Sequence, residues 1–387
     1  MSYQIRSRDE HLRRDGLPKR ILALDGGGLR GIVSLAILQK IEESLRERYD
    51  SNPDFRLCHY FDLIAGTSTG AIIAATLALG WRVKDIRNKY MDLGRRVFVR
   101  SLLRDGVLRA KYDEVALASE LQAVFGRQTM LGGPELQTGL LIITKRIDTG
   151  SCWPISNNPQ GKYFADRPNG VIGNGRYPLW QTVRASTAAP SYFDPEHIAI
   201  ASAAPPLKPS EGEFIDGGVS PFNNPALVAT MYATMEGYRI GWPMGADKLL
   251  LVSVGTGLDD RALKSMPTAA GGALRGLLAL MGDCAALQEI LLQWMSSSPT
   301  ARAIDREVGN LRNDVLGGSP LLAYLRYQLD LSPETVNRLK PGLDESMIDS
   351  LTQMDAPENM SVLEELGALV AQSAVDGNDF PLVFDVT

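Results

Sequence analysis

Apolar runs that end in glycine, each followed by a stretch of helical period, set the plan of the N-terminal part of the chain. Arg20 to Asp25 reads Arg-Ile-Leu-Ala-Leu-Asp, an apolar run with the length of a buried strand. Three glycines follow. Val33, Ile37, Ile41 and Leu45 then recur at every fourth position, with Lys40, Glu42, Glu43 and Arg46 between them, which predicts an amphipathic helix. A second unit of this kind begins at Phe61-Asp62-Leu63-Ile64-Ala65. It passes through Gly66-Thr67-Ser68-Thr69-Gly70 into the Ala-rich stretch Ala71 to Leu79, which is apolar on all sides and therefore reads as a buried helix. Two strand–turn–helix units in succession predict an α/β fold with a mainly parallel sheet.

Further along, Leu140 to Thr144 and Lys248 to Val254 read as strands, and Glu213-Phe214-Ile215-Asp216-Gly217-Gly218 as a short strand ending in an acid and two glycines. Gly150 to Pro178 is rich in Gly, Pro and Asn, which predicts loops or hairpins, and Ala201 to Pro209 is a Pro/Ala loop. Beyond about residue 270 the pattern turns helical. Gly271 to Met295 and Pro320 to Leu331 are the clearest helices, the second with Ser319 as N-cap, and Ser332-Pro333 repeats that capping pattern. The expected organisation is an N-terminal arm (1–17), a catalytic domain (18–265) and a helical C-terminal region packed on the core (266–387).

Composition narrows the functional classes. The 387 residues, 44% hydrophobic and 22% charged, suit one large α/β core with additions or two packed lobes. A net charge of −5 argues against general nucleic-acid binding. Arg6, Arg8, Arg13, Arg14, Lys19 and Arg20 cluster near the start, read as a solvated arm with a basic patch as the alternative. Cys58, Cys152 and Cys284 are far apart and form no CxxC, so neither a zinc site nor a disulfide framework is expected, and the compartment reads as reducing. Without an apolar leader or a run of about eighteen apolar residues, the expectation is a soluble, cytoplasmic protein able to touch a membrane surface.

Gly-x-Ser-x-Gly between a strand and a helix has the arrangement of a nucleophile elbow, with Ser68 on a sharp turn; the plainer alternative is a tight helix start capped by Ser68 or Thr67. Asp25-Gly26-Gly27-Gly28-Leu29-Arg30-Gly31 also has two readings. Gly26, Gly28 and Gly31 satisfy the dinucleotide fingerprint, but the acids at its required spacing, Glu47 and Asp50, close a helix rather than a strand. Alternatively, consecutive glycines present backbone N–H groups to an oxyanion, with Arg30 as an adjacent cation or a surface ion-pair partner. No Gly-Lys-Ser/Thr occurs, so a Walker A site is excluded.

A serine nucleophile needs a base. The three histidines, His11, His59 and His197, are poorly placed: one in the arm, one ahead of the strand leading to Ser68, one with no interpretable acid. Asp216 ends an apolar strand, where open α/β sheets carry their sites, and desolvation can raise a carboxylate's pKa into a useful range; the alternative is an ordinary Asp-Gly turn.

DGGGLRG at 25–31, GTSTG at 66–70 and DGG at 216–218, in that order, resemble the patatin-like phospholipase family. Ala185-Ser186-Thr187-Ala188-Ala189-Pro190-Ser191-Tyr192-Phe193 resembles its stretch before the catalytic Asp, and Ser253-Val254-Gly255-Thr256-Gly257 its late strand and turn. The resemblance implies a three-layer α/β/α fold and a Ser68–Asp216 dyad. It also implies an oxyanion hole from Gly26, Gly27 and Gly28 beside Arg30, and hydrolysis of phospholipid acyl esters without metal or cofactor. Bacterial members with such extensions include antiphage effectors switched on by cyclic nucleotides, and Ser298 to Asp305 is similar to their sequence. That likeness implies a cyclic dinucleotide activator, with a constitutive lipid hydrolase as the alternative; action at the inner membrane surface and a homo-oligomer are separate expectations. The competing expectation is a nucleotide-binding protein using Gly26–Gly31 as a phosphate cradle.

Overall fold

The computed structural model describes residues 3–97, 112–202, 210–258 and 269–386. The first elements are α1 (Arg8–His11), β1 (Lys19–Leu24), α2 (Gly31–Arg48), α3 (Leu57–Tyr60), β2 (Leu63–Thr67) and α4 (Thr69–Ala78). Then come α5 (Val83–Val97), α6 (Glu114–Phe125), β3 (Gly139–Arg146), β4 (Ser151–Ser156), α7 (Leu179–Ser186), β5 (Glu196–Ala201) and β6 (Ser210–Asp216). The last are α8 (Ala226–Thr234), β7 (Leu249–Val254), α9 (Ala269–Met295), β8 (Ser296–Ser297), β9 (Leu322–Tyr327), α10 (Pro333–Leu339), α11 (Glu345–Ser350) and α12 (Met360–Ala374).

The strands form one sheet with a parallel centre. β1 lies between β2 and β7; β3 extends the sheet beside β2, and β9 beside β7. β4, β5 and β6 join antiparallel. Alternate residues of the central strands enter two separate cores. Leu22, Ile64, Leu140 and Val252 pack with Val33, Ile37 and Ile41 of α2, while Ile21, Leu63, Leu141 and Leu251 pack with Ala229 of α8 and Leu292 of α9. A sheet with helices burying both faces is the expected three-layer α/β/α fold.

Register around β3 brings the chemistry together. Residues 141–143 of β3 pair with β2 on one edge and β4 on the other. Residues 144–146 pair with both β4 and β6, so β6 must occupy the edge that β2 vacates. Thr67 is paired with Ile143 and Asp216 with Thr144. The ends of β2 and β6 therefore approach head-on along one edge.

Three expectations change. Pro320 to Leu331 is not a helix: its centre is β9, paired parallel with β7 and buried on both faces. Such a strand is a continuous apolar run whose periodicity cannot distinguish it from a helix. The C-terminal region thus contributes sheet as well as helices. The N-terminal arm is solvated only in part: Arg13 and Arg14 are exposed, whereas Ser7 caps α1, and His11 and Arg6 reach the buried Asp62, which also binds Arg20. Most of the Ala201–Pro209 loop and the 265/266 boundary lie outside the described residues. No helix among the described residues is long and apolar enough to cross a membrane.

Candidate active site

Ser68 joins β2 directly to α4 with φ 55° and ψ −125°, a conformation that a non-glycine residue adopts only when its surroundings impose it. The flanking glycines make this possible. A side chain at Gly66 would strike the Gly70 carbonyl, and one at Gly70 the Leu24 carbonyl. Ser186, at the end of α7, locks the turn: its Oγ accepts the Ser68 N–H at 2.8 Å and donates to the Ile143 carbonyl at 2.6 Å.

Ser68 Oγ donates to Asp216 Oδ2 at 2.5 Å. Asp216 Oδ1 accepts the Gly218 N–H at 2.7 Å, which orients the carboxylate and leaves Oδ2 for the serine. Burial raises the Asp216 pKa from 3.8 to about 6, opposed by the Ser68 and Gly218 hydrogen bonds and the Arg184 charge. Both groups line the same cleft.

The glycine loop faces Ser68 with only part of its backbone. Gly26 donates its N–H to the Asn223 carbonyl, Leu29 to Met354 O and Arg30 to Gly27 O. Gly27 and Gly28 line the cleft, and their N–H groups have no acceptor among the described residues. Gly28 has φ +58°, and Met354 presses on the place a Cβ would occupy, so no other residue fits there. Of the four residues expected to form the oxyanion hole, Gly26 therefore has its donor engaged. Arg30 is buried, does not line the cleft, and bears on Asp25 by its charge.

The cleft has a volume of about 440 Å³ and mainly apolar walls, including Ile72, Leu93, Leu117, Phe193 and Met281, with Thr352 to Asp355 along one side. Tyr90 holds the Gly28 carbonyl at 2.6 Å. Behind the loop, Asp25 forms a two-pronged ion pair with Arg326 of β9, at 3.0 and 2.6 Å. None of the three histidines lines the cleft: His11 is bonded to Asp62, His59 to Tyr3, and His197 is exposed on β5. Ser186, Asn223, Met354 and Arg326 had no site role in the sequence reading. Only Ser186 carried a local signal, its place in the Ala/Ser-rich stretch.

The chain belongs to the patatin-like phospholipase family, whose profile matches residues 22–230. The class is that of lipid acyl hydrolases. Among individual proteins, it is 31% identical to an intracellular phospholipase A2 of Caenorhabditis elegans over 244 residues, 61% of this chain but only 19% of that protein. It is 24% identical to patatin-04/09 of Solanum tuberosum over 354 residues, 87% of this chain and 86% of the patatin. Human GIVD cytosolic phospholipase A2 is similar in structure with a TM-score of 0.44 and 11% identity, covering 93% of this chain and 59% of that chain.

Proposed function

We propose that the chain hydrolyses fatty-acyl esters of membrane phospholipids through a Ser68–Asp216 dyad. The observation that carries this reading is the 2.5 Å bond between Ser68 Oγ and the buried Asp216 carboxylate at an apolar cleft. Asp216 takes the Oγ proton as Oγ attacks the acyl carbonyl. The N–H groups of Gly27 and Gly28 receive the oxyanion, and Asp216 returns the proton to the departing alcohol. Water then releases the fatty acid by the same steps in reverse. The apolar walls suit an acyl chain.

The nucleotide-cradle alternative is weaker. Three N–H groups of that loop are already engaged, and the second strand ends in Thr67 rather than an acid. The proposal extends to transient contact with the inner membrane surface, activation by a cyclic dinucleotide in antiphage defence, and a homo-oligomer. The activator rests on the likeness at Ser298 to Asp305, a segment whose Thr300 Oγ1 accepts the Arg326 N–H; the membrane contact rests on the lipid substrate. The test is fatty-acid release from phospholipid vesicles by the wild type and Ser68→Ala, with and without a panel of cyclic dinucleotides. Release that persists in Ser68→Ala would refute the dyad. Release in the wild type that no cyclic dinucleotide alters would refute the regulatory part alone.

A further inference from the structure

We propose that Arg326 is a positioning residue for the oxyanion loop: it holds Asp25, and through Asp25 it sets how Gly27 and Gly28 present their N–H groups to Ser68. This rests on the hydrolase reading above, and it makes a strand outside the family-matched segment necessary for turnover.

The sheet register explains the reach. Ala23 of β1 is paired with Ser253 of β7, and Ser253 with Arg326 of β9, which puts the arginine two strands away from the end of β1. Its guanidinium crosses to Asp25: Nη1 meets Oδ1 at 3.0 Å and Nη2 meets Oδ2 at 2.6 Å. Nη1 also donates to Ser253 Oγ at 2.6 Å, Nη2 donates to Gln328, and Glu289 of α9 stands 3.6 Å from Nε. Both members of the pair are buried. A planar fork gripping both carboxylate oxygens fixes the orientation of the acid, which an ammonium cannot do.

Asp25 is followed by three glycines, which have no side chains to hold their own conformation. The loop geometry must therefore come from anchors on either side. Upstream these are the Asp25–Arg326 pair, the Thr256 hydroxyl on the Gly26 carbonyl and Asn223 on both backbone groups of Gly26; downstream they are the Tyr90 hydroxyl on the Gly28 carbonyl and the Met354 carbonyl on the Leu29 N–H, and of these only the Asp25–Arg326 pair is ionic. Between them lie the two donors without an acceptor among the described residues. A shift of about 1 Å in such donors is worth about 100-fold in rate. An ion pair with a purely structural role would instead lower the folded fraction and leave the folded molecules fully active.

The test uses the full chain as Arg326→Lys, Arg326→Gln and the double variant Asp25→Asn/Arg326→Gln. The double variant removes both members of the pair together, with Glu289 keeping Gln293 and Tyr324 as partners, and so guards against simple unfolding. Turnover of a soluble p-nitrophenyl acyl ester and labelling of Ser68 by a fluorophosphonate are both measured, with the melting temperature as the check on folding. In folded protein, Arg326→Gln and the double variant should lower kcat about 100-fold and Arg326→Lys about tenfold, with KM within about twofold. Labelling should slow in parallel, because the phosphonyl oxygen uses the same donors. Folded variants with wild-type kcat and labelling rate would overturn the proposal and leave the dyad standing. A wild type that neither turns over the ester nor labels at Ser68, with or without the panel of cyclic dinucleotides, would overturn both.

Discussion

The segment matched by the family profile, 22–230, and the segment from Ala269 onward bring different things to the same cleft. The first contains Ser68, Asp216 and the glycine loop, every group that would touch the reacting atoms. The second contains none of these. It contributes Met281 and Thr352 to Asp355 as cleft walls, the Met354 carbonyl at Leu29, and Arg326 on Asp25. The proposed chemistry is concentrated in one region, and the fixed geometry it needs is shared with the other. A side chain's reactivity can be built locally, whereas the rigidity of a glycine loop must be imposed by whatever packs around it.

The largest effects should fall on the first region. Ser68→Ala and Asp216→Asn should each lower kcat about 10⁴-fold or more, and the double variant should be no worse than Ser68→Ala, since the two groups act as a unit. Additive losses in steady-state kinetics would mean that they act separately. Next comes the junction between the regions. Gly28→Ala forces a Cβ against Met354 at a positive φ and displaces an oxyanion donor, so kcat should fall about 10²- to 10³-fold with smaller change in KM. If ester turnover survives this change, Met354 does not fix the loop.

A third test uses pH. Only ionised Asp216 can take the proton, so kcat/KM should rise with pH and level off above about 6. Its effect on stability has the opposite sign. A carboxylate whose folded pKa is raised from 3.8 to about 6 binds its proton more tightly in the folded state. The stabilisation is fully present below the unfolded value and is lost as pH rises through about 6, by up to about 3 kcal/mol. Asp216→Asn should therefore melt higher than the wild type at pH 7, and the gap should close towards pH 4. Melting curves at the two pH values check this; a lower melting temperature at pH 7 would mean that the carboxylate stabilises the fold. The smallest effect is expected at His197, exposed on β5, where His197→Ala should leave kcat/KM within about twofold. A large loss there would point to a histidine base.

Much of the site was legible because its signals are short. The elbow lies within five residues, the glycine loop within seven, and Asp216 announces itself by a strand end followed by two glycines. The same local view misassigned β9, because a strand buried on both faces has the apolar run of a buried helix. It also grouped Gly26 and Arg30 with Gly27 and Gly28, since a row of backbone donors looks uniform until their acceptors are known.

By itself the sequence determined the strand–turn–helix units, the candidate serine and acid, and where the chain could bend sharply enough to carry them. These follow from side-chain size, backbone freedom and periodicity, all properties of neighbours along the chain. The tertiary structure decided which of these parts meet. Ser68 finds Asp216 across 148 residues only because β2 and β6 share one edge of β3. Asp25 finds Arg326 across 301 residues only because β9 lies beside β7. Strand register is a long-range choice settled by the packing of two cores at once, and no stretch of sequence read locally contains it.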